Sequence, residues 1–283
     1  MTKKITVNSE FFNPKDTLEC GQIFRFFSTE NGYLVLSGNR ACELISEGQN
    51  TVIICDEENE QYFYNYFDLD TDYSGIYSRA QSSKFDILKK ASSLGKGVRI
   101  LKQDSEEMLF SFLISQNNNI PRIKKIINSL SEKLGEKKSF LNYEYYAFPT
   151  ASALQGASEE LLKECGLGYR APYLKILSSE ILTNNLLCKL KDLNEESLKA
   201  ELLKIKGIGE KVANCALLFG FYKTKSFPVD VWIEKIYRED FGGKLTDRSK
   251  ITAFFIDEFA FDAGYFQQYL FYYKRSLEKQ SQN

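Results

Sequence analysis

Ile205-Lys206-Gly207-Ile208-Gly209-Glu210-Lys211 is the stretch that decides how this chain is read. It joins two segments of helical character, 195–204 and 210–220, by a very short connection with two glycines two residues apart. Neither glycine has a Cβ to hold the backbone away, and the N-terminus of the following helix favours an anion. Such a hairpin can therefore bring backbone N–H groups against a phosphate, as in sequence-independent binding of a DNA backbone. The same residues also suit a tight corner between helices closed by a glycine cap. Lys211 separates the two readings. In the first turn of the second helix the positive end of the helix dipole disfavours an ammonium, so a partly desolvated lysine there is expected to have a lowered pKa and to present a free amine, as a nucleophile needs. Cys215 follows four residues later on the same helical face, although a buried small hydrophobe is the commoner fate of a cysteine.

Asp230 lies nineteen residues after Lys211, in Phe227-Pro228-Val229-Asp230-Val231-Trp232 and immediately before a helical stretch. Asp230 is expected to cap that helix. A carboxylate held there can also stabilise positive charge developing on a sugar as a base departs, which is electrostatic work and needs no proton transfer.

Composition narrows the remaining chemistry. The chain has 283 residues, 43% hydrophobic and 14% aromatic, enough for a substantial core and not the composition of a disordered chain. Histidine is absent, which removes Ser-His-Asp triads, Cys-His pairs and imidazole metal sites together. The six cysteines, at 20, 42, 55, 165, 188 and 215, form no C-x-x-C pair and no cluster suited to zinc or an iron–sulfur centre, so neither a metal nor another cofactor is expected. Reduced thiols, an N-terminus without an apolar run and the lack of any bilayer-length window point to a cytoplasmic protein that is neither exported nor in a membrane. Net charge is only −1, with 11 Lys and Arg against 14 Asp and Glu in residues 1–100. That distribution carries little weight toward a nucleic-acid partner.

The fold class read from the pattern is α+β. Ile5–Val7, Ile23–Ser28, Tyr33–Ser37, Ala41–Ile45 and Thr51–Cys55 are short and rich in β-branched or aromatic residues, and turn signals separate them. They predict an antiparallel meander. Lys84–Ser93 is amphipathic and ends before Gly95 and Gly97, a candidate link to the second part. Helical periodicity then predicts helices at 105–115, 120–134, 158–164, 171–184, 195–204, 210–220, 231–240 and 261–277. The expected organisation is an antiparallel β-sheet domain with short helices over 1–100 and an all-helical domain over 101–283.

The order of hairpin, lysine and Val-Asp-Val resembles the active-site core of the helix-hairpin-helix DNA glycosylases, and the wider match is to the 8-oxoguanine DNA glycosylases. Leu203–Gly220 with Pro228–Val231 is the specific part, and Gly21–Arg25, Ser115–Arg122, Gly168–Arg170 and Gly264–Phe271 support it in the family's order. The resemblance implies a glycosylase with lyase activity. Lys211 is similar to the lysine that attacks the sugar C1′, expels the base and forms the Schiff base through which the strand is nicked, and Asp230 is similar to the catalytic aspartate. Cys215 and Phe271 resemble the walls around the flipped base, and Gln267 the amide that reads its Watson–Crick edge. Gly21 resembles the glycine whose carbonyl accepts the extra N7–H of 8-oxoguanine, a backbone contact that a side chain would obstruct.

Gln116-Asn117-Asn118-Asn119-Ile120-Pro121-Arg122, alone, reads as a polar turn with an Asn cap and Pro121 near the first helical position. In the family's pattern Asn117 enters the gap left by the extruded base, Arg122 and Arg170 address the orphaned cytosine, and Tyr169 is the aromatic wedge that buckles the duplex. Gly207 and Gly209 then meet DNA phosphate. Trp232 departs from the pattern, standing where the family often has a phosphate-contacting histidine. The implied partner is double-stranded DNA with a damaged base, and one subunit suffices for a single lesion, so a monomer is expected. Set against this are a glycosylase for another damaged base, a non-catalytic DNA-binding module, and a protein-interaction domain using the aromatic stretch Tyr265–Tyr273.

Overall fold

The structure, a computed structural model, describes residues 1–281. Five strands, β1 (Thr2–Asn8), β2 (Phe26–Ser28), β3 (Gly32–Ser37), β4 (Arg40–Glu47) and β5 (Asn50–Asp56), form one antiparallel sheet, and a helical region follows. The α+β reading is therefore what the chain folds into.

The expected meander needs one correction, because the strand order is β1-β5-β4-β3-β2. Strands β2 to β5 run as hairpins, while β1 crosses to the far edge and pairs with β5. The reason lies between β1 and β2. Cys20 and Phe24 are buried in the helical core, so the chain leaves the sheet there and cannot turn straight back. For the same reason the expected strand Ile23–Ser28 shrinks to Phe26–Ser28. The Gln22 carboxamide, wholly buried, donates to the Arg99 carbonyl at 2.6 Å and accepts from the Leu101 N–H at 2.8 Å, tying this part of the chain to the 99–101 segment.

Period-2 alternation gives the sheet two buried faces. Val35, Cys42, Leu44, Ile53 and Cys55 pack with Phe12, Phe63 and Phe67 on one. Leu34, Leu36 and Ala41 meet Phe140 and Tyr145 on the other. Those last two belong to a hairpin, β6 (Lys137–Phe140) and β7 (Tyr143–Tyr146), that covers the sheet from within the otherwise helical region. Arg25, only 1% exposed, locks this junction. It pairs with Glu107 at 3.1 Å and donates to the carbonyls of Gly38 and Tyr146.

The predicted helices form at Ser105–Ile114, Ile120–Leu134, Glu159–Glu164, Ala171–Asn184, Glu195–Lys204, Glu210–Cys215, Val231–Glu239 and Ala263–Ser281. The Glu210 helix continues over Ala216–Gly220 as a wider π turn. Asp104, Asn119, Ser158, Asn194 and Asp230 each accept a backbone N–H at their helix starts, which explains why these boundaries are sharp. Three more helices, Ala151–Gly156, Leu186–Lys191 and Arg248–Phe259, were not expected. The last holds Phe254-Phe255-Ile256, whose adjacent apolar residues blur a single stripe, since several sides of that helix are covered. Lys84–Ser93 corresponds to a helix, Asp86–Leu94, but Gly95 and Gly97 are not a loose link. The Gly97 carbonyl accepts from the Asn13 N–H at 2.8 Å and the Thr17 hydroxyl at 2.9 Å.

Candidate active site

The hairpin glycines differ in kind. Gly207 has φ +100, and a Cβ there would come within 2.7 Å of the Tyr173 ring, so the position admits only glycine without strain. Gly209 is the extended N-cap of the Glu210–Cys215 helix, and a Cβ there would meet open space. The hairpin is thus braced on one side by Tyr173 and open on the other, at the helix N-terminus where an anion is favoured.

Lys211 lies half-buried in the first turn of that helix. Cys215 is buried one turn on, and burial pushes its thiol up to about 12, with the Lys211 charge pulling down and Asp230 pushing up. Asp230 reports the same neighbourhood. Burial holds its carboxyl above the ordinary value, opposed by the Ile233 N–H, the Lys211 charge, the Trp232 N–H and Arg248. Cys215 and Asp230 therefore both lie within electrostatic reach of Lys211. Both cap bonds, from Trp232 N–H at 3.0 Å and Ile233 N–H at 3.1 Å, fall on Asp230 Oδ1, which leaves Oδ2 outside the cap. Behind it Phe227 is wholly buried and stacked on Phe255 at 4.3 Å, and the Thr252 hydroxyl donates to the Phe227 carbonyl at 3.1 Å, bracing the irregular segment that precedes the carboxylate.

The candidates for base recognition gather on the same side. Gln267 is buried and donates to the Pro228 carbonyl at 3.3 Å, two residues before Asp230, while its own oxygen accepts from Gln268 at 2.8 Å. Gly21, from the other end of the chain, has φ +93, and a Cβ there would lie 3.0 Å from the Phe271 ring and 2.9 Å from Arg275 Nη1. Arg275 in turn feels the charge of Asp230. Gly21 is thus linked through Phe271 and Arg275 to the carboxylate that senses Lys211. Arg275 itself was missed in the sequence. It sits four residues after Phe271 on one helix, with its guanidinium 5.6 Å from that ring and Nη1 donating to the Glu19 carbonyl at 3.2 Å, and the i, i+4 spacing was the available signal.

A second group lines the surface around the hairpin. Asn117 is exposed, has φ +45, and donates from Nδ2 to the Tyr169 hydroxyl at 3.2 Å. Tyr169, the expected wedge, is 55% exposed. Arg122 is exposed at the start of its helix, its N–H capped by Asn119. Arg170 is placed differently from a free base reader. It is 2% exposed and donates to the carbonyls of Gln116, at 2.9 Å through Nε, and Asn117, at 3.0 Å through Nη2, so it holds the loop, and reaching a cytosine requires exchanging those bonds. Trp232 is part-buried, with its N–H taken by the Asp230 cap. Among the described residues no group of His, Cys, Asp or Glu is arranged to hold a metal ion, and no helix is long and apolar enough to cross a membrane.

Comparison with known proteins points the same way. Residues 4–109 match the family model described as 8-oxoguanine DNA glycosylase, N-terminal domain, and residues 110–259 match that of the HhH-GPD superfamily base excision DNA repair proteins. The chain is 29% identical to an N-glycosylase/DNA lyase of Saccharomyces cerevisiae, over 84% of this chain and 70% of that protein. It is also 29% identical to an N-glycosylase/DNA lyase of Arabidopsis thaliana, over 90% and 75%. Among solved structures it is similar to the Clostridium acetobutylicum 8-oxoguanine glycosylase/lyase bound to double-stranded DNA with cytosine opposite the lesion, at a TM-score of 0.90 and 38% identity, with 98% of each chain covered.

Proposed function

Because the chain belongs to the HhH-GPD superfamily of base excision DNA repair proteins, we infer that it is a bifunctional DNA glycosylase/lyase that excises 8-oxoguanine from duplex DNA. The observation that carries the substrate is the meeting of Gly21 with Phe271 and Arg275, a guanidinium within electrostatic reach of Asp230, since unlike guanine the oxidised base offers an N7–H to a backbone carbonyl.

The chemistry follows from the site. Lys211 Nζ, as a free amine, bonds to C1′ as the C1′–N9 bond breaks, and the base leaves with that electron pair and takes up a proton shed by Nζ. The sugar ring opens to a Schiff base between C1′ and Nζ, and loss of a C2′ proton expels the 3′ phosphate and nicks the strand. Asp230, ionised and fixed by its two backbone N–H donors, stabilises the positive charge that builds on the sugar. Cys215 and Phe271 flank the base, and Gln267, oriented by Pro228 and Gln268, reads its edge. Gly207 and Gly209 seat a phosphate, Asn117 and Tyr169 handle the gap, and Arg122, joined by Arg170 once it exchanges its bonds to the loop, addresses the orphaned cytosine. In this reading residues 1–100 contribute the discriminating glycine and residues 101–283 the chemistry. The protein acts on DNA as a monomer in the cytoplasm, associated with the nucleoid if the cell is prokaryotic, and its unpaired cysteines suit a reducing compartment.

Borohydride trapping tests this directly. With a duplex carrying 8-oxoguanine opposite cytosine, a covalent protein–DNA adduct is expected from the wild type, and none from undamaged duplex or from Lys211→Gln. Nicking by the Lys211→Gln variant sinks the assignment of the nucleophile.

A further inference from the structure

Resting on the glycosylase reading above, we propose that Gln116 is a positioning residue that couples the gap-filling loop to the phosphate-facing hairpin and so governs how readily the lesion is turned out of the duplex. Gln116 follows the Ser105–Ile114 helix and touches three elements remote from one another in sequence. Its Nε2 donates to the Gly207 carbonyl at 2.8 Å, in the hairpin, and to the Leu113 carbonyl at 3.2 Å, in its own helix. Its main-chain carbonyl accepts from Arg170 Nε at 2.9 Å, from Arg170 Nη2 and from the Tyr169 hydroxyl at 3.4 Å.

These contacts close a circuit. Gly207 is pressed against Tyr173, Tyr173 packs edge-on against Tyr169 at 6.5 Å, and Tyr169 returns to Gln116. Asn117, next in the chain, is the residue that must enter the duplex, and it is held in the left-handed region with its amide on the same tyrosine. A hairpin seated on phosphate through its N–H groups therefore fixes, through the Gly207 carbonyl, where Asn117 stands. None of Gln116's polar atoms is needed at C1′ or at the base. Its effect falls on extrusion, before any bond breaks.

Single-turnover excision at saturating enzyme tests this with two duplexes, one with 8-oxoguanine paired to cytosine and one with the lesion already unpaired in a short internal bubble. Gln116→Leu removes the donor, and the isosteric Gln116→Glu sets a carboxylate against the Gly207 carbonyl without changing volume. Losing one such bond predicts excision about five- to tenfold slower on the paired lesion for Gln116→Leu, and a larger loss for Gln116→Glu. On the bubble both variants are expected within about twofold of wild type, since the step that needs the coupling has been supplied. The ratio between duplexes is taken within one protein, so a smaller folded fraction cancels from it. Equal losses on the two duplexes, or none on either, overturn the coupling. Wild-type protein that excises from neither duplex overturns the glycosylase reading, and the coupling with it.

Discussion

Lys211 and Asp230 are positioned by their sequence neighbours, whereas Gly21 is positioned by the far end of the chain. The lysine follows a two-glycine hairpin into the first turn of a helix, and the aspartate is fixed by N–H groups two and three residues on. Gly21 depends on Gln22, whose carboxamide reaches Thr17, Arg99 and Leu101, and on Phe271 and Arg275 against its other side. In the proposed reaction the bond-breaking groups are thus placed locally, and the lesion-recognising glycine by segments distant in the chain.

The largest break in that contrast is expected at the local end. Asp230→Asn should lower excision by about two to three orders of magnitude, by analogy with loss of a preorganised electrostatic group, as read by single-turnover kinetics. It should also raise the melting temperature slightly at neutral pH. Burial holds the Asp230 carboxyl above its ordinary value, so the folded protein takes up a proton there more readily than the unfolded chain. The stability this gives is fully present below the ordinary carboxylate range and is lost as pH rises through the raised value. Asparagine keeps the cap without the charge. The variant's advantage should therefore shrink as pH falls from about 7 toward about 4. An advantage that grows with acidity contradicts the buried-charge account.

Next in size is Gly21→Ala. A Cβ at φ +93 is strained, and it presses on Arg275 and Phe271. Excision of 8-oxoguanine should fall roughly ten- to a hundredfold, about 1–3 kcal/mol of strain converted. Cleavage at a preformed abasic site should change only a fewfold. Parallel loss of both activities erases the division between local chemistry and assembled recognition.

The smallest effects sharpen the picture within the hairpin. Gly207→Ala should cost about 1–3 kcal/mol of stability in urea unfolding, because its φ of +100 and the Tyr173 ring both exclude a Cβ. Gly209→Ala, in extended backbone beside open space, should leave stability nearly unchanged. Its cost should appear as weaker duplex binding if the hairpin seats a phosphate as proposed, since the added methyl then narrows that seat.

The same contrast explains what could be read from the sequence. Helix starts at Asp104, Asn119 and Asp230 were legible because each cap lies next to the residues it serves. The hairpin, Lys211 and Asp230 were legible for that reason as well. The place of β1 beside β5 was not, because it follows from Cys20 and Phe24 joining a core whose other members come much later. The β6–β7 hairpin was hidden likewise, its buried residues facing a sheet that lies about a hundred residues earlier. Arg275 escaped since its importance depends on Gly21, and Arg170, expected to address the orphaned cytosine, gave no sign in sequence that its guanidinium is also held on two carbonyls of the loop.

The Arg25–Glu107 pair gives the molecule a mechanical character. Sheet, hairpin and helix converge on one guanidinium that water does not reach. Separating them strands a buried charge, at about 3–5 kcal/mol. The junction cannot yield as cheaply as DNA, whose bending costs are of similar size but are repaid by new contacts. In the proposed encounter that junction holds sheet, hairpin and helix as one body, so bending falls to the duplex.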